Sequence, residues 1–236
     1  MKPDRLACAI SVIGLLSATG TVWAQSTAPD RVQSGVMLPG TIPIFPLPDP
    51  MLFPKVSRPL HIFEPRYRAM VADALKGDRI IGMVTLRPGY EADYEGRPPV
   101  YAIGCAGVIT DIEELPDGRF NLVLQGLVKF RITAEDNSRA YRLARVDAMP
   151  ESSSEEERAA LRNLRPELEA VLAAAAGPSR SGPVPPEIPD EDLVNTLAQY
   201  LDFDPLDRQD LLEQSSVISR SQVLIDLLQK KLNPPR

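Results

Sequence analysis

His61 and Glu64 stand three residues apart in PLHIFEPRY, a spacing from which a metal site could start. The chain holds one histidine and two cysteines, too few to complete a nitrogen- or sulfur-rich set. His61 also falls in an alternating, strand-like run, so it reads as a packed or surface histidine and no metal is predicted. Glu64 with Arg66 could grip a ligand carboxylate or amide, and a helix cap plus an ion pair accounts for the same two residues. Cys105, between Gly104 and Ala106, has no neighbouring cation to lower its pKa and reads as a buried, inert thiol. Asp111, Glu113 and Glu114 are the acids available for a hydrolytic or transfer site, and they come without a paired partner. None of the six lysines follows a serine by three residues, and no G-x-x-x-x-G-K-[ST] phosphate loop occurs. No catalytic residue and no cofactor are predicted.

The chemistry that remains is binding, and composition narrows it. Twenty-six Lys and Arg against 32 Asp and Glu give a net charge of −6, which disfavours nucleic acid as a partner. The 236 residues suit one large domain or two small ones, and 44% hydrophobic content is enough for a core. Proline is the outlier at 24 residues, about twice ordinary usage, so long helices are expected only in proline-poor windows.

Residues 1–24 read as a signal peptide: Lys2 and Arg5, an apolar or small stretch from Leu6 to Thr21, then Val22-Trp23-Ala24 with cleavage after Ala24. The stretch is shorter than the roughly 20 residues a spanning helix needs, so no stable membrane insertion is expected after cleavage. A periplasmic or secreted location follows from the leader; a true start near Met37, with a cytoplasmic protein, is the alternative. Residues 25–40 form a polar, Gly/Pro-marked tether.

From 41 to 150 the pattern is β-rich. TIPIFPL and PLHIF alternate apolar residues between prolines and read as edge strands, because proline cannot donate to a central ladder. Pro65 opens an amphipathic helix through Tyr67, Met70, Val71, Ala74 and Leu75, and RIIGMVTL is a strand-length apolar run. Asp117-Gly118 is a hairpin turn, followed by Phe120, Leu122, Leu124, Val128, Phe130 and Ile132 on one parity, with Gly126 as a bulge or bend. From 151 to 236 the spacing is helical: Leu161 to Leu172, expected to kink or split at Pro166; a proline-rich linker at 177–190; a helix capped by Asp190; a helix from Asp204-Pro205; and a last one over Val217 to Leu228. Strands first and helices last give an α+β chain.

These segments carry a resemblance. IPIFPLPDPMLFPKVSRPLHIFEPRYRAMVADALKGDRIIGMV, with its P-L-x-I-F-E-x-R-Y run from Pro59 to Tyr67, resembles the opening of the Lon protease N-terminal (substrate-binding) domain family. GCAGVITDIEELPDGRFNLVLQGLVKFRI and LVNTLAQYLDFDPLDRQDLLEQSSVISRSQVLIDLL are similar to its hairpin and closing helices. The resemblance implies a PUA-like β pseudo-barrel with one helix, a following helical lobe, and a stand-alone, non-catalytic module that binds unfolded or specific polypeptide segments. Roles in protein quality control, chaperone-like or as an adaptor to a protease or chaperone, fit that reading; an enzyme with an unrecognised hydrolytic site is the alternative. His61, Glu64, Arg66 and Tyr67 are the family run and read as structural. The proline-interrupted stretch 42–63 is the expected edge and groove wall, with Phe45, Met51, Phe53 and Phe63 as peptide-binding candidates and about half of them expected to be buried.

Overall fold

The computed structural model describes residues 37–49, 51–90, 96–151, 154–176 and 184–233. The leader with its cleavage after Ala24, residues 25–36 of the tether and residues 177–183 of the linker lie outside the described residues. No helix among the described residues is long and apolar enough to cross a membrane.

Six strands form one mixed sheet: β1 (Thr41–Leu47), β2 (Ser57–Ile62), β3 (Ile80–Thr85), β4 (Ile103–Glu114), β5 (Phe120–Asp136) and β6 (Arg142–Met149). Neighbours run β2-β5-β4-β3-β1-β6, and the 17-residue β5 also pairs with β6. That last ladder closes β1, β3, β4, β5 and β6 into a ring and leaves β2 outside it, paired among the described residues to β5 alone. β1 and β3 are parallel, which requires a crossover, and helix α1 (Pro65–Ala74) lies within it.

Every even position of β5 from Phe120 to Phe130 is buried, as its parity predicts. Inside the ring Phe130 packs with Ile42, Ile44, Val84, Ala106, Ala144 and Val146. α1 buries Tyr67, Met70, Val71 and Ala74, the i, i+3, i+4, i+7 stripe, and Tyr67 meets Phe45 of β1 with ring centroids 4.4 Å apart. In the β4–β5 turn Gly118 has φ +76, so valine there should cost about 1–3 kcal/mol. Thermal melting of Gly118→Val checks this; an unchanged melting temperature would mean the turn tolerates a β-branched residue.

β1 departs from expectation. It is not an edge strand: Thr41–Ile44 pair with β6 and Ile44–Leu47 with β3. Each half is laddered mainly on one side, so Pro43 and Pro46 each lie where a donor is needed on one side at most. The edge assignment holds for β2, whose Pro59 has a single neighbouring strand among the described residues.

The described chain falls into two compact units. One comprises the sheet, α1 and helix α4 (Pro205–Glu213); the other holds α2 (Glu155–Ala176), α3 (Asp190–Tyr200) and α5 (Val217–Leu232). A division at residue 150 therefore misplaces α4, which returns to β4 through a hydrogen bond from Gln209 Nε2 to the Ile103 carbonyl, 3.1 Å. α2 runs unbroken through Pro166. The proline removes one i→i−4 bond, while Leu161, Leu168 and Leu172, buried on either side of it, keep one continuous stripe. Asp190 is not a cap: Pro189 occupies that position, and the Asp190 carboxylate accepts from Arg165 Nη1 at 2.8 Å. α5 begins with a capping box between Ser216 and Ser219.

Candidate functional site

The open flank of β2 is the candidate site. Its residues alternate, with Ser57, Pro59 and His61 exposed and Ile62 buried, and only its β5 side carries a ladder among the described residues. The register puts His61 opposite Asn121. His61 Nδ1 lies 2.7 Å from Asn121 Oδ1, and His61 Nε2 lies 3.3 Å from Arg119 Nη1. A neutral imidazole donating from Nδ1 and accepting at Nε2 satisfies both contacts. Asn121 Nδ2 in turn donates to Glu113 Oε2 at 2.9 Å. Asp117 receives the Arg119 backbone N–H and Nε, at 3.1 and 2.7 Å, and these two bonds hold its carboxyl below the usual carboxylate range.

Phe63, just past the end of β2, is 60% exposed and stacks on this fixed imidazole, centroids 6.2 Å apart and planes 25° from parallel. An exposed aromatic ring held by a hydrogen-bonded neighbour is a preformed apolar anchor beside an unladdered strand edge. Such an edge can bind an extended chain through its main-chain groups while the ring takes a side chain.

The other predicted groove residues are elsewhere. Phe45, Met51 and Phe53 are 6%, 2% and 0% exposed and belong to the core. The cause is a tight turn. Lys55 adopts φ 65, its N–H donates to the Gly126 carbonyl, and the Gly126 N–H donates to Val56, both at 2.9 Å. A Cβ at Gly126 would collide with the Phe53 carbonyl, so the glycine admits this close approach and turns residues 51–53 inward. Prolines on both sides of Met51 suggest an exposed loop; Gly126 in the middle of β5 is the signal that another backbone comes close there.

The family-run residues diverge. His61 faces Asn121 and Arg119, whereas Glu64 Oε2 accepts from Arg66 Nε at 3.0 Å and the Arg66 guanidinium lies over the buried Tyr67 ring, 4.7 Å from its centroid. Glu64 occupies the N-cap position of α1 but makes no side-chain cap bond. Among the described residues no group of three or more His, Cys, Asp or Glu is placed to hold a metal. Cys105 is fully buried, with Sγ 3.5 Å from the Ala106 carbonyl. Asp111, Glu113 and Glu114 are exposed, with Glu113 committed to Asn121. Arg119 and Asn121 were not marked by any local pattern; only the β2–β5 register reveals them.

Residues 41–230 match the family model described as the ATP-dependent protease La (LON) substrate-binding domain. Lon protease 2 of Myxococcus xanthus is 33% identical over 119 residues, 50% of this chain and 14% of that protein. Lon protease 1 of Herpetosiphon aurantiacus is 26% identical over 216 residues, 86% of this chain and 26% of that protein. The chain thus spans about a quarter or less of these relatives' lengths. Among solved structures, the N-terminal domain of a Mycobacterium avium complex Lon protease superposes with a TM-score of 0.58 at 18% identity, covering 80% of this chain and 98% of that one. A Lon N-terminal domain protein from Xanthomonas campestris gives 0.54 at 22% identity, covering 79% and 97%.

Proposed function

The chain belongs to the Lon substrate-binding domain family, and from that premise we propose that it binds unfolded or extended polypeptide segments without chemistry of its own, as a chaperone-like or adaptor module. The observation that carries this reading is the pairing of an open β2 edge with the exposed, stacked ring of Phe63. An extended client would add as a strand along β2, and Phe63 would take one apolar side chain. We further assign the five-strand ring and α1 to the PUA-like pseudo-barrel; the closure of the ring through β5 and β6 supports this.

Because Phe63 is exposed, its replacement should spare the fold. Phe63→Ser is expected to weaken capture of a reduced, carboxymethylated lactalbumin by about tenfold or more, as loss of an aromatic anchor does, with far-UV circular dichroism unchanged. Fluorescence anisotropy of the labelled client measures it. Equal capture by the variant would remove Phe63 from the site. Degradation of casein by the pure chain, with or without ATP, would overturn the binding-only reading.

A further inference from the structure

Three residues beyond Phe63, the chain turns into a second feature. Arg66 and Tyr67 of α1, Pro46 of β1, Arg97, Tyr141 and Arg142 line a cavity of about 240 Å³. Since a water molecule takes about 30 Å³ of liquid, there is room for several waters, or for a carboxylate with a small side chain. No acidic residue lines it among the described residues.

The cations are held in place. Arg142, largely buried, sends Nε and Nη2 to the Glu135 carboxylate at 2.9 and 2.6 Å and Nη1 to the Pro98 carbonyl at 2.7 Å. Arg97 reaches the Asn137 side-chain oxygen through Nη1 and the Arg139 carbonyl through Nη2 at 3.0 Å. Glu64 and Glu135 offset Arg66 and Arg142, whereas Arg97 meets only neutral oxygens among the described residues. Among the described residues the lining therefore carries one guanidinium charge in excess, presented beside two tyrosines and a proline. The N-terminal turn of α1, which supplies Arg66 and Tyr67, adds positive potential.

We propose that this cavity binds the free C-terminal carboxylate of a polypeptide. One negative charge matches the guanidinium of Arg97, which meets no carboxylate among the described residues, and a planar guanidinium suits a planar carboxylate. The aromatic and proline walls accept the apolar side chain that a terminal residue carries beside its carboxylate, which a bare inorganic anion lacks. The inference rests on the polypeptide-binding reading above and makes it specific: clients with an apolar C-terminal residue are preferred.

The test uses the full chain and a fluorescein-labelled octapeptide of alternating serine and alanine ending in phenylalanine and leucine, prepared as the free acid and as the C-terminal amide. By fluorescence anisotropy the acid is expected to bind about tenfold tighter than the amide, as loss of a charge-assisted contact requires. Arg97→Ala should abolish that difference and leave amide binding unchanged, Arg97→Lys should keep part of it, and inorganic phosphate should compete with the acid alone. Should Arg97→Ala unfold, as circular dichroism would show, the parent's acid-to-amide ratio and the Arg97→Lys variant still decide the matter. Equal binding of acid and amide to the parent overturns the carboxylate site and leaves the polypeptide reading standing. No binding of either peptide overturns both.

Discussion

Phe130→Ala is expected to destabilise the sheet unit by about 3–5 kcal/mol, the range for deleting a buried phenylalanine side chain. The ring is completely buried and fills the centre of the closed strands. Two glycines border it: a Cβ at Gly82 would lie 2.7 Å from Phe130 Cζ, and one at Gly104 would meet the Met83 carbonyl first, with Phe130 Cζ 2.9 Å away. Both glycines sit in ladders, Gly82 opposite Ile44 and Ala106, Gly104 opposite Phe130, so their backbones are not free to collapse into the space left behind. Urea denaturation should show a lower midpoint with the same slope. A loss below about 1 kcal/mol would mean that the strands do not seal around the ring.

Lys129→Met should cost about as much, for a different reason. Lys129 Nζ and Glu151 Oε1 are 2.7 Å apart, with side chains 2% and 7% exposed. Removing the cation leaves a carboxylate in a site shielded from water, and breaking such a buried pair costs about 3–5 kcal/mol. The attraction itself is nearly cancelled by desolvation, so Lys129→Met with Glu151→Leu should recover most of the loss. Chemical denaturation of the two variants gives the answer. A double variant no more stable than the single one would show that the cost lies in lost lysine packing and not in a stranded charge.

These two sites also show what the amino-acid order reveals and what it hides. The parity of β5 and the spacing of α1 expose which side chains face inward, because a strand or helix buries one face and leaves a period behind. Periodicity does not say which strand lies alongside. β1 therefore passes for an edge on account of its prolines, although it is paired on both flanks, and Met51 and Phe53 pass for surface although a turn against Gly126 buries them. The candidate binding surface was legible only in part. Phe63 belongs to a recognisable run, but its support comes from Asn121 and Arg119, about 60 positions later, through register alone. Arg97 and Arg142 are ordinary loop and strand-start arginines until the fold brings them to the wall of a cavity shared with Arg66.

Ring closure has a bearing on how the protein is made. β1 emerges first, yet one of its flanks is completed only by β6, with Thr41 opposite Arg145. At about 5–20 residues per second, translation of the hundred or so residues between them takes on the order of 5–20 s. During that time Ile42, Ile44 and Phe45, all interior in the finished protein, have no ring to enter. α4, which anchors to β4 through Gln209, arrives later still. The Ile44–Leu47 half of β1 can already pair with β3, so it is the Thr41–Ile44 half that stays without its partner strand until β6 is made.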